Sequence, residues 1–428
     1  MNVREIAFRV LRIVEKRRFV PREELDPALS RMEDRDRAFL KELVWGVLRR
    51  RVYLDWIINR FLNKKDIPPS IRIILRMGAY QILFMDGVPD YAAVNESVKL
   101  VRLKSFKGLV NAVLRKIAST GYLEPEEIHL KYSHPKWISD ILVENFGHEN
   151  AIRIMENHLK PLPLVLRVNK LKIDRETFME RYGYLDPKPT PHSPFGVTVE
   201  YNGPTDELEP VLKGYATVQG ESSQVIPLIL DLKPGMRILD ACASPGGKTT
   251  HMAELIGDEG EIVAIDVSVD KVERVVESAK RLGLKSIKTA VADSRKIHEL
   301  FDEEFDLVLV DAPCTSLGTA RKNPEVLMRV KEKDIKKMSE VQKEILESSW
   351  RVLKPGGMLM YSVCTFTKEE TVENIRWFLE NHEADLKDPR EKLKELGVEF
   401  FWDGFGFLIL PDETMTEFYA SVLRKVKR

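Results

Sequence analysis

From about residue 216 onward the chain alternates apolar runs with amphipathic ones, and this rhythm constrains the fold more than any other feature. MRILDACAS, EIVAIDVS, SIKTAVADS, FDLVLVDAPC and GGMLMYSVCTF read as strands. KTTHMAELIG, DKVERVVESAKRLG, SEVQKEILESSWRVL and EETVENIRWFLENH, lying between or after them, read as helices. FDLVLVDAPC is apolar on both faces, as expected of a strand covered by helices on either side. GFLILP and FYASVLRKV close the chain as two more strands. The pattern predicts an α/β domain over 216–428 built on a doubly wound parallel sheet, with any ligand at the carboxyl ends of its strands.

The first part of the chain has a different period. Over 1–140, apolar residues recur at helical spacing in VREIAFRVLRIVEK, DRAFLKELVWGVLRRRVYLDWIINRFL, PPSIRIILRMGAYQILF and YAAVNESVKLVRL. Pro21, Asp26 and Pro27 mark an early loop, and Pro68, Pro69 and Pro89 mark breaks. Over 141–215 a short helix, HPKWISDILVENFG, leads in. A strand–turn–helix reading of PLPLVLRVNKLKIDRETFMERYG and a Pro/Gly-rich stretch then predict a small α/β domain that names no chemistry. The 428 residues carry no net charge, yet residues 1–140 hold 27 Lys and Arg against 18 Asp and Glu. The excess concentrates in Arg49, Arg50 and Arg51 with Lys64 and Lys65, and in Arg102, Lys104, Lys107, Arg115 and Lys116; no acidic residue lies between Ser97 and Tyr122. Such runs suit either a solvated face or contact with a polyanion. No apolar stretch is long enough for a membrane helix, and the charged N-terminus is unlike a secretory signal.

Three cysteines, an odd number at wide spacing, exclude a disulfide framework and favour a reducing cytoplasm; no His/Cys spacing suggests a metal. Each cysteine falls at the end of a predicted strand. The first strand runs into Asp240-Ala241-Cys242-Ala243-Ser244-Pro245-Gly246-Gly247-Lys248-Thr249, a glycine turn opening a helix, where backbone approaches a ligand closely and helix N–H groups are free. A phosphate-binding loop would need glycine where Cys242 stands. Asp266 ends the second strand and Asp293 the third; carboxylates there suit a ribose and an adenine amino group, although any one such Asp is more often a helix cap. Together with the turn they favour an adenosine cofactor, S-adenosylmethionine rather than a nicotinamide in the absence of GxGxxG. Asp311-Ala312-Pro313-Cys314 ends the fourth strand and Val363-Cys364-Thr365 the fifth. If these two strands are neighbours, both thiols share one wall of the site.

Two thiols beside a methyl donor suit one reaction in particular. C5 of cytosine is a poor nucleophile until a thiolate adds to C6 and raises electron density at C5. A thiolate is both strongly nucleophilic and a fair leaving group. An acid near N3 stabilises the ring charge, and Asp311, three residues before Cys314, is placed for that. From the residues alone either thiol can be the nucleophile.

DACASPGGKT, DAPCTSLG and YSVCT, in this order, resemble the signature segments of the RNA 5-methylcytosine methyltransferases of the Sun/Fmu and NSUN group, over about 216–428. PREELDPALSR, DRAFLKELVWGVLR and NAVLRKI resemble the NusB-like all-helical RNA-binding domain. The combination is similar to the small-subunit ribosomal RNA methyltransferases of that group. The resemblance implies a Rossmann-like catalytic domain, with Cys242, Ala243, Ser244, Pro245, Gly246, Gly247 and Lys248 at the methionine end of S-adenosylmethionine. It puts Asp266 at the ribose, Asp293 at the adenine and Asp311 at the target cytosine beside the cofactor. It also implies Cys364 as nucleophile and Cys314 in product release. Ser244, Val363, Thr365 and Thr315-Ser316 depart from the commoner residues at those positions. Arg321, Lys322 and Arg329, beyond Cys314, are candidates for holding RNA phosphates. Small-subunit ribosomal RNA is the implied partner. A transfer-RNA or DNA methyltransferase with the same core, a non-catalytic RNA-binding protein and a P-loop ATPase are the alternatives.

Overall fold

The structure, a computed structural model, describes residues 2–62, 66–302 and 304–426. Lys64 and Lys65 of the first basic group therefore lie outside the described residues. Two compact units form, one comprising Met1–Pro161, Asn202–Pro204 and Ala320–Arg329, the other Leu162–Tyr201, Thr205–Thr319 and Val330–Arg428. No helix among the described residues is long and apolar enough to cross a membrane.

The first unit is helical. Val3–Arg17, Asp34–Arg49, Arg51–Phe61, Pro69–Phe84 and Asp90–Leu100 follow the predicted periodicity, and Lys107–Thr120 is a further helix. Their apolar faces meet in one core that includes Val14, Leu43, Ile57, Leu75 and Leu114. Two expectations give way to tertiary packing. Arg22–Ser30 is a helix rather than a loop although Pro27 sits inside it. Leu25 and Leu29 are buried on its inner face, and that burial outweighs the hydrogen bond a proline cannot donate. The helix at Lys136 also runs on to His158, with Gly147 at φ +77° forming a kink partway.

The arginine run is largely consumed inside this unit. Glu15 accepts from Arg51 at 2.5 and 2.9 Å and from Arg76 at 3.2 Å, and Arg76 also grips Asp55 at 2.8 Å. Arg50 lies over the Phe84 ring at 4.1 Å. Burial pushes the Glu15 carboxyl up, but the Arg51 hydrogen bond and the charges of Arg51, Arg76 and Arg18 outweigh it and bring it down to about 2. Because the folded value lies below the ordinary 4.5, this contribution is complete above the unfolded value and is lost as pH falls towards 2. Discounted for partial exposure it amounts to about 1–2 kcal/mol. Urea unfolding of Glu15→Gln at pH 7 should show that loss, and the gap to the unaltered protein should close as pH is lowered through 4.

The second unit holds two sheets. Leu164–Val168 pairs antiparallel with Gly196–Val199 and Ala216–Val218 in a small four-stranded sheet. Helix Arg175–Arg181 buries Phe178 in the adjoining apolar cluster. The large nine-stranded sheet contains β1 (Arg237–Asp240), β2 (Glu261–Asp266), β3 (Ile287–Val291), β4 (Phe305–Asp311), β5 (Leu353–Val363), β6 (Ala384–Lys387), β7 (Phe400–Trp402), β8 (Phe407–Ile409) and β9 (Phe418–Lys425). Its order is β7-β8-β9-β5-β4-β1-β2-β3, with β6 on β9. The five central and right-hand strands β5, β4, β1, β2 and β3 are parallel. The purely parallel expectation fails at the other edge, where β9 runs antiparallel to β5 and β6, β7 and β8 extend that antiparallel portion. β4 is buried at every apolar position, and helix Val269–Leu282 turns Val272, Val275, Ala279 and Leu282 inward at helical spacing. Strand order reverses between β1 and β4, which makes the crevice outside their carboxyl ends the natural ligand position.

Candidate active site

Gly246 opens the helix Gly247–Leu255 with φ +101°. A side chain there would be strained and would press on Val275. The turn thus brings backbone and the free N–H groups of a helix start to the β1 end of the crevice. Arg167, fully buried on the strand Leu164–Val168, braces this turn from below. It donates to the Gly247 carbonyl at 2.7 Å, to Thr250 Oγ1 at 2.9 Å and to both Glu254 oxygens at 3.0 and 2.8 Å, and also bonds Gln219. The sequence region that named no chemistry therefore supplies the strut under the glycine turn. Only the charge of Arg167 in an otherwise apolar LVLRV run hinted at it.

Asp266 Oδ2 accepts the Ser244 N–H at 3.0 Å, and Oδ1 accepts the Val267 N–H and the Lys271 ammonium at 2.8 and 2.9 Å. Val267 and Val291, exposed at the ends of β2 and β3, give this stretch an apolar surface. A carboxylate at one strand end, apolar side chains beside it and a glycine turn at the next strand fit an adenosyl group. Asp293 plays the part of a cap: it accepts the Arg295 N–H at 3.1 Å and is gripped by the Arg295 guanidinium, with the shortest contact 2.6 Å. Cys242 lies beside Ser294, 4.0 Å from its hydroxyl. Burial, and next the charge of Asp240, pushes this thiol well above its ordinary value, which disfavours the thiolate at Cys242.

On the other side of the crevice, β4 and β5 are parallel neighbours, with Asp311 opposite Ser362. The chain beyond them brings Cys314 Sγ to 3.4 Å from Cys364 Sγ. The Gly318 N–H donates to the Cys364 carbonyl at 3.0 Å. A Cβ at Gly318 would lie 3.1 Å from that carbonyl and 2.6 Å from the Glu417 carbonyl, so only glycine allows the two loops to close together. The contact between the sulfurs lowers Cys364 and raises Cys314; burial and the Asp311 carboxylate oppose the lowering at Cys364 while the Lys248 ammonium adds to it, and burial and the Glu370 carboxylate add to the rise at Cys314.

Lys248 reaches across from the glycine turn. Its ammonium is 2.6 Å from Asp311 Oδ2 and 4.5 Å from the Phe418 ring centre, and Ser362 Oγ donates to Asp311 Oδ1 at 2.9 Å. Lys248 and Asp311 are therefore one ion-paired unit. Contrary to the expectation of a phosphate contact, Arg321 is buried in the helical unit, where it donates to the Pro161 carbonyl at 3.0 Å. Lys322 and Arg329 are exposed.

Residues 227–424 match the family described as 16S rRNA methyltransferase RsmB/F, residues 1–119 the NusB family, and residues 134–205 the ferredoxin-like domain of RsmF/B-like methyltransferases. The chain is 33% identical over 423 residues to a probable ribosomal RNA small subunit methyltransferase B of Bacillus subtilis, covering 92% of each. To ribosomal RNA small subunit methyltransferase B of Salmonella enteritidis it is 31% identical over 436 residues, covering 99% of each. The solved structure of PH0851 superposes with a TM-score of 0.78 at 29% identity, over 98% of this chain and 97% of that one. With a glycine turn and strand-end carboxylate fitted to an adenosyl group, and with relatives of this similarity over nearly its whole length, the chain belongs to the RsmB/F family of S-adenosylmethionine-dependent 16S rRNA methyltransferases, with a NusB domain at its N-terminus.

Proposed function

We propose that this protein methylates C5 of one cytidine in small-subunit ribosomal RNA through a covalent adduct between Cys364 and C6 of the base. The observation that carries the reading is the pair of sulfurs 3.4 Å apart at the carboxyl ends of β4 and β5, with the Lys248–Asp311 pair beside them. S-adenosylmethionine, held by the segment Cys242 to Lys248, by Asp266 and by Asp293 at the adenine, supplies an electrophilic methyl group.

The Cys364 thiolate adds to C6, forming the S–C6 bond and driving an electron pair towards C5 and N3. Lys248 donates a hydrogen bond to the ring as negative charge builds there, and Asp311, held by Ser362, keeps that ammonium in place. C5 takes the methyl group from its sulfonium donor; a solvent water then takes the C5 proton, and the electron pair left behind re-forms the C5–C6 double bond as the S–C6 bond breaks and Cys364 leaves as its thiolate. Cys314, protonated next to it, returns a proton to the departing thiolate and so favours release. Free thiols at both positions suit a reducing cytoplasm.

The base must leave its stack to reach such a site, so a loosely structured RNA segment is the substrate. We assign residues 1–140 and 141–215 to positioning this RNA and 216–428 to the chemistry. Arg102, Lys104, Lys107, Arg115 and Lys116 are all exposed, and none is in an ion pair among the described residues, which leaves their charge available to phosphates. Binding should weaken steeply with salt. Incubation with labelled methyl donor and separate small-subunit ribosomal, transfer and DNA substrates, followed by mapping of the methylated base, tests the reading. Methyl transfer confined to a cytidine C5 in the ribosomal RNA is expected; exclusive labelling of transfer RNA would replace the substrate, and labelling of none would overturn the function.

A further inference from the structure

Glu370 is fully buried, six residues beyond Cys364, and it serves no step described so far. Its Oε1 accepts the Thr315 N–H at 2.8 Å and Gln342 Nε2 at 3.0 Å. Its Oε2 accepts the Thr315 hydroxyl at 2.6 Å and the Thr367 hydroxyl at 2.9 Å. Thr315 Oγ1 in turn meets Thr365 Oγ1 at 2.8 Å. Thr315 follows Cys314 and Thr365 follows Cys364, so one carboxylate ties together the residues next to both thiols.

The carboxylate is itself held. Gln342, on helix Glu332–Arg351, also donates to the Pro313 carbonyl at 2.9 Å. The Tyr361 hydroxyl donates to the Glu370 carbonyl at 2.6 Å. Asn374 Nδ2 donates to Gln342 Oε1 at 2.8 Å, and Ser339 Oγ donates to Asn374 Oδ1 at 2.7 Å. A buried network with every member bonded rigidifies what it touches. These hydrogen-bond donors are neutral, so burial raises the Glu370 carboxyl while the bonds to Thr315, Thr367 and Gln342 oppose that rise. Its field bears on Cys314.

We infer that Glu370 is the positioning residue of the two-thiol site, a clamp that holds the Cys314 and Cys364 loops face to face. The inference rests on the covalent reading for its effect on turnover, but the clamp has a readout of its own. In the full-length protein, Glu370→Gln places an NH₂ group where an oxygen accepts hydroxyl and amide donors. Thr315→Val removes one donor with little change of shape, and Thr315→Ser restores it.

The expected result is a fall in kcat of about 30–100-fold for Glu370→Gln and Thr315→Val, the scale of a misplacement of about 1 Å at a reacting group. KM for methyl donor and RNA should stay within about threefold, and Thr315→Ser should keep near-normal turnover. Without RNA, iodoacetamide followed by peptide mass spectrometry should label Cys364 faster than Cys314, with that preference shrinking at least about threefold in Glu370→Gln. Unchanged kcat and unchanged thiol preference in Glu370→Gln would overturn the clamp, as would higher KM values at normal kcat. If Glu370→Gln fails to fold, the Thr315 pair decides alone: full activity in Thr315→Val overturns it. Should the unaltered protein methylate no RNA, the covalent reading falls while the alkylation comparison still tests the clamp.

Discussion

Cys364→Ala is expected to abolish methyl transfer, with turnover down by at least about 10³-fold, and to leave no covalent RNA adduct on a denaturing gel. Cys314→Ala is expected to do the opposite with the intermediate: an RNA adduct forms and persists, because the nucleophile remains and the group assisting its release is gone. The prediction is sharp because the two sulfurs are 3.4 Å apart, too close for distance to the substrate to distinguish them. The contact between them does so: it lowers Cys364 and raises Cys314, burial and the Glu370 carboxylate add to the rise at Cys314, and at Cys364 the Asp311 carboxylate and the Lys248 ammonium oppose each other. Truncation of either cysteine removes one small side chain, so urea unfolding should change little beside the loss of turnover. If Cys314→Ala were the variant without adduct and Cys364→Ala the one that trapped RNA, the nucleophile would be the other thiol.

The second large effect concerns the ion pair. Asp311→Asn keeps the size of the side chain and the Ser362 contact but removes the charge facing Lys248 at 2.6 Å. Lys248→Met keeps an unbranched side chain but removes the ammonium, and with it both the ion pair and the contact over the Phe418 ring. Each is expected to lower kcat by about 10²–10³-fold, the range for losing one positioned donor to developing charge. The two residues act as a unit, so the double variant should be little worse than the more impaired single one. Losses that multiply would mean that Lys248 and Asp311 serve separate steps. Lys248→Met should also slow alkylation of Cys364, since the thiolate loses its nearby cation. Unfolding measurements belong beside the kinetics, because removing one partner of a largely buried pair leaves a poorly compensated charge.

The glycine turn, the strand ends and the thiols were legible from local pattern because each is a local event. A strand that must be covered on both faces reads as an apolar run, as Phe305–Asp311 does, and a helix packed on a sheet shows its period, as Val272, Val275, Ala279 and Leu282 do. Gly246 is required by a backbone angle within its own turn. These features depend on neighbours in the chain, so residue type and spacing alone determined them.

Other features depend on what the chain meets after folding. Pro27 argues for a loop, yet burial of Leu25 and Leu29 makes a helix of Arg22–Ser30. Arg321 carries the charge of an RNA contact, yet it is buried and bonded to the Pro161 carbonyl. β6 and β7 are short edge elements with little periodicity; β6 finds its partner only in β9, near the end of the chain, while β7 forms a hairpin with β8. Glu370 and Arg167 carry no motif of their own, because a hydrogen bond of 2.6 to 3.0 Å is a property of two groups and not of one. Sequence by itself thus determined the domain class, the cofactor turn and the presence of two strand-end thiols. Only the tertiary structure decided that parallel pairing of β4 with β5 brings those thiols together and that a buried carboxylate fastens them, since register and burial exist only once distant segments have met.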